Sequence, residues 1–289
     1  MIIVTGATGV LNGATVEHLL KLRPADQIGV SVRDVAKARH LAERGVRVRR
    51  GSYEDPAALL DSFEGAEQVL LVSSSDPDPE VDQVGLHRVG IETAVAAGAR
   101  RILYTSHQGA WIDSPFYPAR VHAATEEILA DSGVAWTSLR NGFYAHSLDW
   151  LLGPWRERGT IVAPADGPVS WTDRADEAEA AAVILAGQRL FDGPVTLTAD
   201  AAVTFADIAG IASEVTGREI RRVVMDDEEW VAGQVAHGVP EFMARFLLGT
   251  FEAAREGRFA GVTPLLGELL GRQPRTVRDL LAGISPAGG

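Results

Sequence analysis

The sequence predicts an α/β protein: a Rossmann-like, doubly wound parallel sheet with a smaller, mainly helical C-terminal lobe. Three observations carry this expectation. Strand-like and helix-like segments alternate through the first 145 residues, the pattern of a parallel sheet wrapped by helices. Runs such as Val69-Leu70-Leu71-Val72 have no polar face, as expected for strands covered on both sides. Residues 2–13 join a buried strand to a glycine-bearing turn and the start of a helix, an arrangement that suits a dinucleotide pyrophosphate.

Taken in order, strands are expected at 2–5, 28–32, 46–49, 69–73, 101–105 and 135–139. Helical patterns lie between them at 11–22, 35–44, 56–63, 82–97 and 120–132. Polar or glycine-bearing segments follow the strand ends: Gly6–Val10, Arg33-Asp34, Ser73–Ser75, Thr105–Gln108 and Arg140–Tyr144. An open sheet of this kind binds its ligand at those ends. Beyond Tyr144 the pattern changes. Short strands are expected at 160–163, 168–171 and 194–198, with a helix over 174–187. Thr204 is a suitable N-cap for a helix running to about Val215. The tail from Asp226 is mainly helical, carries Trp230, Phe242, Phe246 and Phe251, and is divided by Pro264, Gly271 and Pro274. The expected organisation is a dinucleotide-binding domain over 1–148, which also receives 174–198, and a mainly substrate-binding lobe over 149–289.

Composition sets limits. A chain of 289 residues with 46% apolar side chains buries a substantial core. It has no cysteine, which excludes disulfides, thiolate metal sites and a cysteine nucleophile. A net charge of −12 opposes binding to a phosphate backbone, so no nucleic acid is expected. No apolar run is long enough for a bilayer span. The first strand begins at Ile2, leaving no room for a signal peptide. A cytoplasmic protein without a membrane partner is expected, as a monomer or homodimer.

The cofactor positions follow from the strand ends. Gly6 and Gly9 allow the turn, and Thr8, Val10 and Leu11 lie where the backbone meets the pyrophosphate. Asn12 stands where a third glycine is expected; its side chain either fits the helix–strand contact or displaces the helix. Arg33 ends the second strand, beside the adenosine ribose in this architecture. An arginine there suits a 2′-phosphate, and Lys37 adds charge from the next turn, while Asp34 opposes both. NADP(H) is therefore favoured and NAD(H) stays open. Ser73, Ser74 and Ser75 permit close approach of ribose and pyrophosphate, although loop chemistry explains them as well. Thr105 and Ser106 lie at the nicotinamide position, and Asn141 suits the carboxamide or a substrate oxygen.

The common short-chain dehydrogenase mechanism needs a tyrosine with a lysine four residues later. The only lysines are Lys21 and Lys37, and the residues four beyond the tyrosines at 53, 104, 117 and 144 are Ala57, Gln108, Val121 and Leu148. Carbonyl reduction by that pair is therefore not expected. Hydride transfer to a quinone or another electron-poor conjugated acceptor needs chiefly proximity and orientation. His122 and Glu126 share a helical face and suit a proton donor with its orienting carboxylate. His107 follows Ser106 at the sheet mouth and is a second donor candidate, with Tyr144 a third. Phe143, Tyr144 and Trp230 are expected to line the substrate pocket. The histidines have no metal-ligand spacing, so no metal is expected, and no Gly-x-Ser-x-Gly elbow is present.

Val-Thr-Gly-Ala-Thr-Gly at 4–9, Val-Arg at 32–33, Tyr-Thr-Ser at 104–106, His-x-x-Thr-Glu at 122–126 and Leu-Arg-Asn-Gly-Phe-Tyr at 139–144 together resemble the NmrA-like atypical short-chain dehydrogenases. The likeness is greatest to the bacterial NADPH quinone oxidoreductases and triphenylmethane dye reductases, and Asp173-Arg174-Ala175-Asp176 keeps part of a second-lobe pattern. The resemblance implies cofactor roles for Gly6, Thr8, Gly9, Leu11, Arg33, the serines at 73–75, Thr105 and Asn141. His122, Phe143 and Tyr144 would border the nicotinamide or a small aromatic, quinone-like substrate. The family also includes dinucleotide-binding redox sensors that act on a protein partner, which is the alternative reading.

Overall fold

The computed structural model describes residues 1–74, 81–187 and 189–283; Ser75 lies outside the described residues. The first half alternates as expected: β1 (Ile2–Thr5), α1 (Val10–Leu22), β2 (Ile28–Val32), α2 (Arg39–Ala42), β3 (Arg47–Arg50), α3 (Pro56–Ser62), β4 (Gln68–Leu71), α4 (Gln83–Ala96), β5 (Arg101–His107), α5 (Tyr117–Ala130) and β6 (Ala135–Asn141). The second half runs β7 (Phe143–Tyr144), α6 (Leu148–Leu151), α7 (Trp155–Arg158), β8 (Thr160–Pro164), β9 (Trp171–Thr172), α8 (Arg174–Leu185), β10 (Gly193–Leu197), α9 (Phe205–Thr216), β11 (Arg221–Met225), α10 (Asp227–Ala236), α11 (Glu241–Arg255), α12 (Leu265–Leu270) and α13 (Val277–Leu281).

Seven parallel strands form one sheet in the order β10-β6-β5-β4-β1-β2-β3. The order reverses between β1 and β4, which makes their carboxyl ends the ligand crevice. β1 and β2 are buried along their whole length. Successive side chains alternate faces. Ile2 and Val4 pack with Val16 and Leu19 of α1 on one side, while Ile3 packs with Ile91 of α4 and Leu129 of α5 on the other. β3 forms one edge and exposes Arg50, with Arg47 and Arg49 half-buried beside it. At the other edge, β10 is covered by Thr263, whose hydroxyl donates to the Thr196 carbonyl at 2.9 Å. After β9 the chain returns to the sheet through α8, which packs along α1, and then through β10.

The lobe has its own aromatic core around Trp171, Phe205, Trp230, Phe251 and Phe259. Thr204 caps α9 as expected, in a reciprocal capping box with Asp207. Three segments differ from the sequence expectation. The helix expected over 35–44 is a 3₁₀ turn at Val35–Ala38 followed by the single turn α2, and Asp34 caps the first of these by accepting from the Ala36 N–H at 3.0 Å. The strand expected over 168–171 is reduced to β9, which pairs with β7 directly after β6. β11 was not expected; it pairs in parallel with β8, and its run Arg221-Arg222-Val223-Val224-Met225 is mostly exposed, so it lacks the apolar signal of a covered strand.

An ion pair ties α5 to the sheet. Glu126 accepts from Arg140 on β6 through both carboxylate oxygens, and its Oε1 also accepts from Ser106 at 2.8 Å and Ser138 at 2.7 Å. Glu126 is 8% exposed at the side chain and Arg140 31%. Removing one member of a buried, fully bonded pair leaves the other unpaired. Glu126→Ala is expected to lower unfolding free energy by about 3 kcal/mol, the low end for such pairs because Arg140 reaches water, measured by denaturant titration.

Candidate active site

The glycine turn closes with Gly9 N–H on Gly6 O at 2.9 Å. Gly6 has φ +65°, and a Cβ there would meet Val72 Cγ1 at 2.7 Å, so only glycine fits. Thr8, Gly9 and Val10 are exposed at the turn, and Leu11 is half-buried. No side chain caps α1, so its first N–H groups face outward with the positive end of the helix dipole. Asn12 does not push the helix away. It is buried and donates through Nδ2 to the carbonyl of Thr5, the last residue of β1, at 2.8 Å. The close approach expected of a third glycine falls one residue later, where a Gly13 Cβ would lie 3.0 Å from Ala7 O.

Arg33 and Lys37 are exposed at the end of β2, and neither has an ion pair among the described residues. Asp34 is occupied in capping the following turn. The strand ends around the crevice are bound by side-chain hydroxyls. Thr5 Oγ1 accepts from Val72 N–H at 2.8 Å, Tyr53 donates to Val72 O at 2.8 Å, and Thr105 Oγ1 accepts from Ser73 N–H at 2.8 Å. Thr105 and Ser106 were expected to contact nicotinamide; both are buried, and their hydroxyls are engaged with Ser73 and Glu126. Asn141 is 2% exposed, and its Oδ1 has no partner among the described residues. The uncapped helix, the glycine cradle, the free Arg33 and Lys37 and the unpartnered Asn141 oxygen fit a nicotinamide dinucleotide with a 2′-phosphate.

Beyond these ends lies an aromatic wall. The His107 ring is 5.2 Å from Phe143, 5.4 Å from Phe259 and 5.5 Å from Phe116, and it stacks on His122 at 6.2 Å. Burial pushes His107 down to about 4, so it is neutral at pH 7. His122 is held well below 6.5, first by burial and then by His107 and His87. Neither histidine is an imidazolium ready to give up a proton. His122 and Glu126 do not form the expected pair: Glu126 turns to Arg140, while His122 Nδ1 lies 2.8 Å from the Tyr104 hydroxyl. The positive charge of Arg140 and two serine hydroxyls hold the carboxylate toward the sheet.

Tyr144 is half-buried, stacks on His146 at 5.5 Å, and has the Arg174 guanidinium 5.9 Å from its ring. Burial raises its hydroxyl pKa far above 10, and Glu177 adds to the rise. Trp230 was expected in the pocket; it lies instead in the lobe core, 5.5 Å from the Phe251 ring. A recess of about 190 Å³ opens beside Val10 and Ala14 of α1, bounded by His146, Asp173, Arg174, Ala175 and Leu280. A wider depression of about 660 Å³ along the outer side of β3 is lined by Val35, Arg39, Arg49 and Arg50 and by none of the expected site residues.

Sequence reasoning missed Tyr53, His87, Tyr104, Arg140 and Glu177. His87 had a signal: it shares the buried stripe of α4 with Gln83, Ile91 and Ala94, at helical spacing. Glu177 is fully buried with no hydrogen-bond partner for either oxygen among the described residues. Its pKa is raised well above 4.5, first by burial and then by Asp173 and Asp176. The folded protein thus holds this proton more tightly than the unfolded chain does. The stability it contributes is complete below the unfolded pKa near 4.5 and is lost as pH rises toward the folded value. Glu177→Gln removes that dependence. Denaturant midpoints should shift progressively in favour of the variant as pH rises above 4.5, and parallel pH slopes would contradict the assignment.

The chain is similar to known proteins over nearly its whole length. A family model described as the NmrA-like family matches residues 1–267. Quinone oxidoreductase 2 of Escherichia coli is 35% identical over 281 residues, 96% of either chain. The structure of that NADPH-dependent enzyme with NADPH superposes with a TM-score of 0.89, covering 98% of this chain and 99% of the other. Triphenylmethane reductase of Citrobacter sp. with NADP(H) gives 0.87 at 32% identity, over 98% of this chain and 99% of the other. An NAD(P)H azoreductase of Xenophilus azovorans is 29% identical over 100% of this chain and 99% of its own length.

Proposed function

The chain belongs to the NmrA-like family, and on that premise we propose that it is an NADPH-dependent reductase of quinone-like or other conjugated aromatic acceptors. The observation that carries this reading is the pairing of a dinucleotide crevice with a neutral aromatic wall that lacks any tyrosine–lysine pair. Relatives over nearly the full chain, named for quinone, azo and triphenylmethane reduction with NADPH or NAD(P)H, support it.

Residues 1–148 with 174–198 serve as the cofactor half, and the rest of 149–289 as the acceptor half. Gly6, Thr8, Gly9, Val10 and Leu11 cradle the pyrophosphate against the first turn of α1. Arg33, with Lys37, binds the 2′-phosphate, for which a guanidinium is well suited. Ser73 and Ser74 border the ribose, Thr105 and Ser106 frame the strand ends, and Asn141 takes the carboxamide. Ser75 is assigned with its neighbours on sequence alone. When bound, the reduced nicotinamide supplies hydride. Phe143, Tyr144 and His122 orient the acceptor, while the buried ring wall of His107 excludes water. A delocalised acceptor needs no strong acid in the site, which suits histidines held neutral.

The test is oxidation of NADPH and NADH against a panel of quinones and dyes. Turnover with NADPH preferred is expected; tight cofactor binding without turnover of any acceptor would favour the redox-sensor reading. Arg33→Ala should weaken NADPH binding by about tenfold, or about 1.4 kcal/mol, and leave NADH binding unchanged. An unaltered NADPH/NADH affinity ratio would refute the phosphate assignment.

A further inference from the structure

The polar groups behind β5 form a hydrogen-bond chain that starts from a fixed backbone donor and leads to His122. The chain starts at the backbone of Ser74, in the loop after β4. A backbone N–H only donates, so His87 Nε2, 2.7 Å away, is the acceptor. A neutral imidazole that accepts at Nε2 carries its proton on Nδ1. His87 Nδ1–H faces Thr125 Oγ1 at 2.8 Å, and the Thr125 hydroxyl donates onward to the Val121 carbonyl at 2.8 Å.

The Tyr104 hydroxyl lies between two histidine nitrogens, 3.4 Å from His87 Nδ1 and 2.8 Å from His122 Nδ1. The first already carries a proton and cannot accept. The other hydrogen-bond neighbour of Tyr104, the Thr125 hydroxyl, already accepts from His87 Nδ1–H, so Tyr104 donates to His122 Nδ1, the nearer free acceptor, and the proton of His122 stays on Nε2. That Nε2 has no hydrogen-bond partner among the described residues and is not among the polar atoms sealed from solvent. His122 keeps 8% of its surface exposed.

We propose that His122 acts as a neutral hydrogen-bond donor to the acceptor oxygen through Nε2–H, held in that tautomer by Tyr104 and, through His87, by the Ser74 backbone. Tyr104 and His87 are positioning residues. The role rests on the reductase reading above. An oxygen that gains negative charge as hydride arrives takes such a bond more strongly than a neutral carbonyl does. The acceptor gains two electrons and one hydrogen as hydride, its oxygen then takes a proton from water, and hydroxide is released. His122 retains its own proton throughout. The titratable groups facing it are Tyr104 and His107 from β5 and His87 from α4, while Glu126 on its own helix is engaged with Arg140.

The experiment is ¹⁵N-resolved NMR of the histidine side chains in the full-length protein at about pH 7, without cofactor. The expected result is two opposite neutral tautomers, Nε2–H at His122 and Nδ1–H at His87. The same tautomer at both, or a charged His122, overturns the proposal whether or not any variant folds. Tyr104→Phe should then mix the His122 tautomers and lower kcat with a quinone by about tenfold, with the NADPH Kd unchanged. An unchanged kcat also overturns it. Absence of turnover with every acceptor defeats the reductase reading and the donor role with it, whereas the tautomer pair is read independently of activity.

Discussion

The structure depends on how the backbone is satisfied where β1 and β4 part. β1 pairs with β2 as far as Thr5↔Ser31 but with β4 only as far as Val4↔Leu70. A crevice between strands leaves N–H and C=O groups without their ladder partners, and buried groups of that kind are costly. Side chains take the place of the missing strand. Thr5 serves Val72 N–H, Tyr53 serves Val72 O, Thr105 serves Ser73 N–H, His87 serves Ser74 N–H, and Asn12 serves Thr5 O. The crevice is held open by groups that are themselves fixed, so the glycine turn and the backbone of Val72, Ser73 and Ser74 meet a ligand with little reorganisation.

The same groups set the electrical character of the site. Around the aromatic wall the ionisable side chains are either neutral through burial, as His107 and His122 are, or locked into a bonded pair, as Glu126 and Arg140 are. Two exposed cations without an ion pair among the described residues, Arg33 and Lys37, lie after β2, away from these rings. The rings thus face neutral or paired groups, while exposed positive charge stands at the end of β2. Such a partition favours acceptors whose reduced form spreads its charge over a conjugated system.

The alternation of apolar strands and amphipathic helices made the sheet and its order of elements legible, because each strand buries both faces. The capping box at Thr204 was legible for a similar reason: both partners lie within one helical turn. β11 was not, since its residues are mostly exposed and its pairing with β8 depends on the lobe around it. In the site, the glycine turn and the exposed place of Arg33 after β2 could be read from position alone. The role of Glu126 could not. Helical spacing put it beside His122, yet Arg140, Ser106 and Ser138 lie on two strands whose nearness to α5 no local pattern reveals. His107 and Trp230 were misjudged in the same way, as polarity and aromaticity mark a pocket only when burial is known.

Both margins of the main sheet are closed to strand addition. β3 carries three arginines, with Arg49 bound to Glu64 and Arg50 to Asp55, and exposed cationic edges discourage pairing. β10 has Pro194, which lacks an N–H, and its Thr196 carbonyl is already taken by Thr263. Self-assembly by continuing the sheet from one copy into the next is therefore blocked at both ends. Copies of this chain that associate do so through helices, loops or the small β8–β11 sheet rather than by extending the main sheet, which leaves the geometry of that sheet, and of the crevice cut into it, independent of assembly.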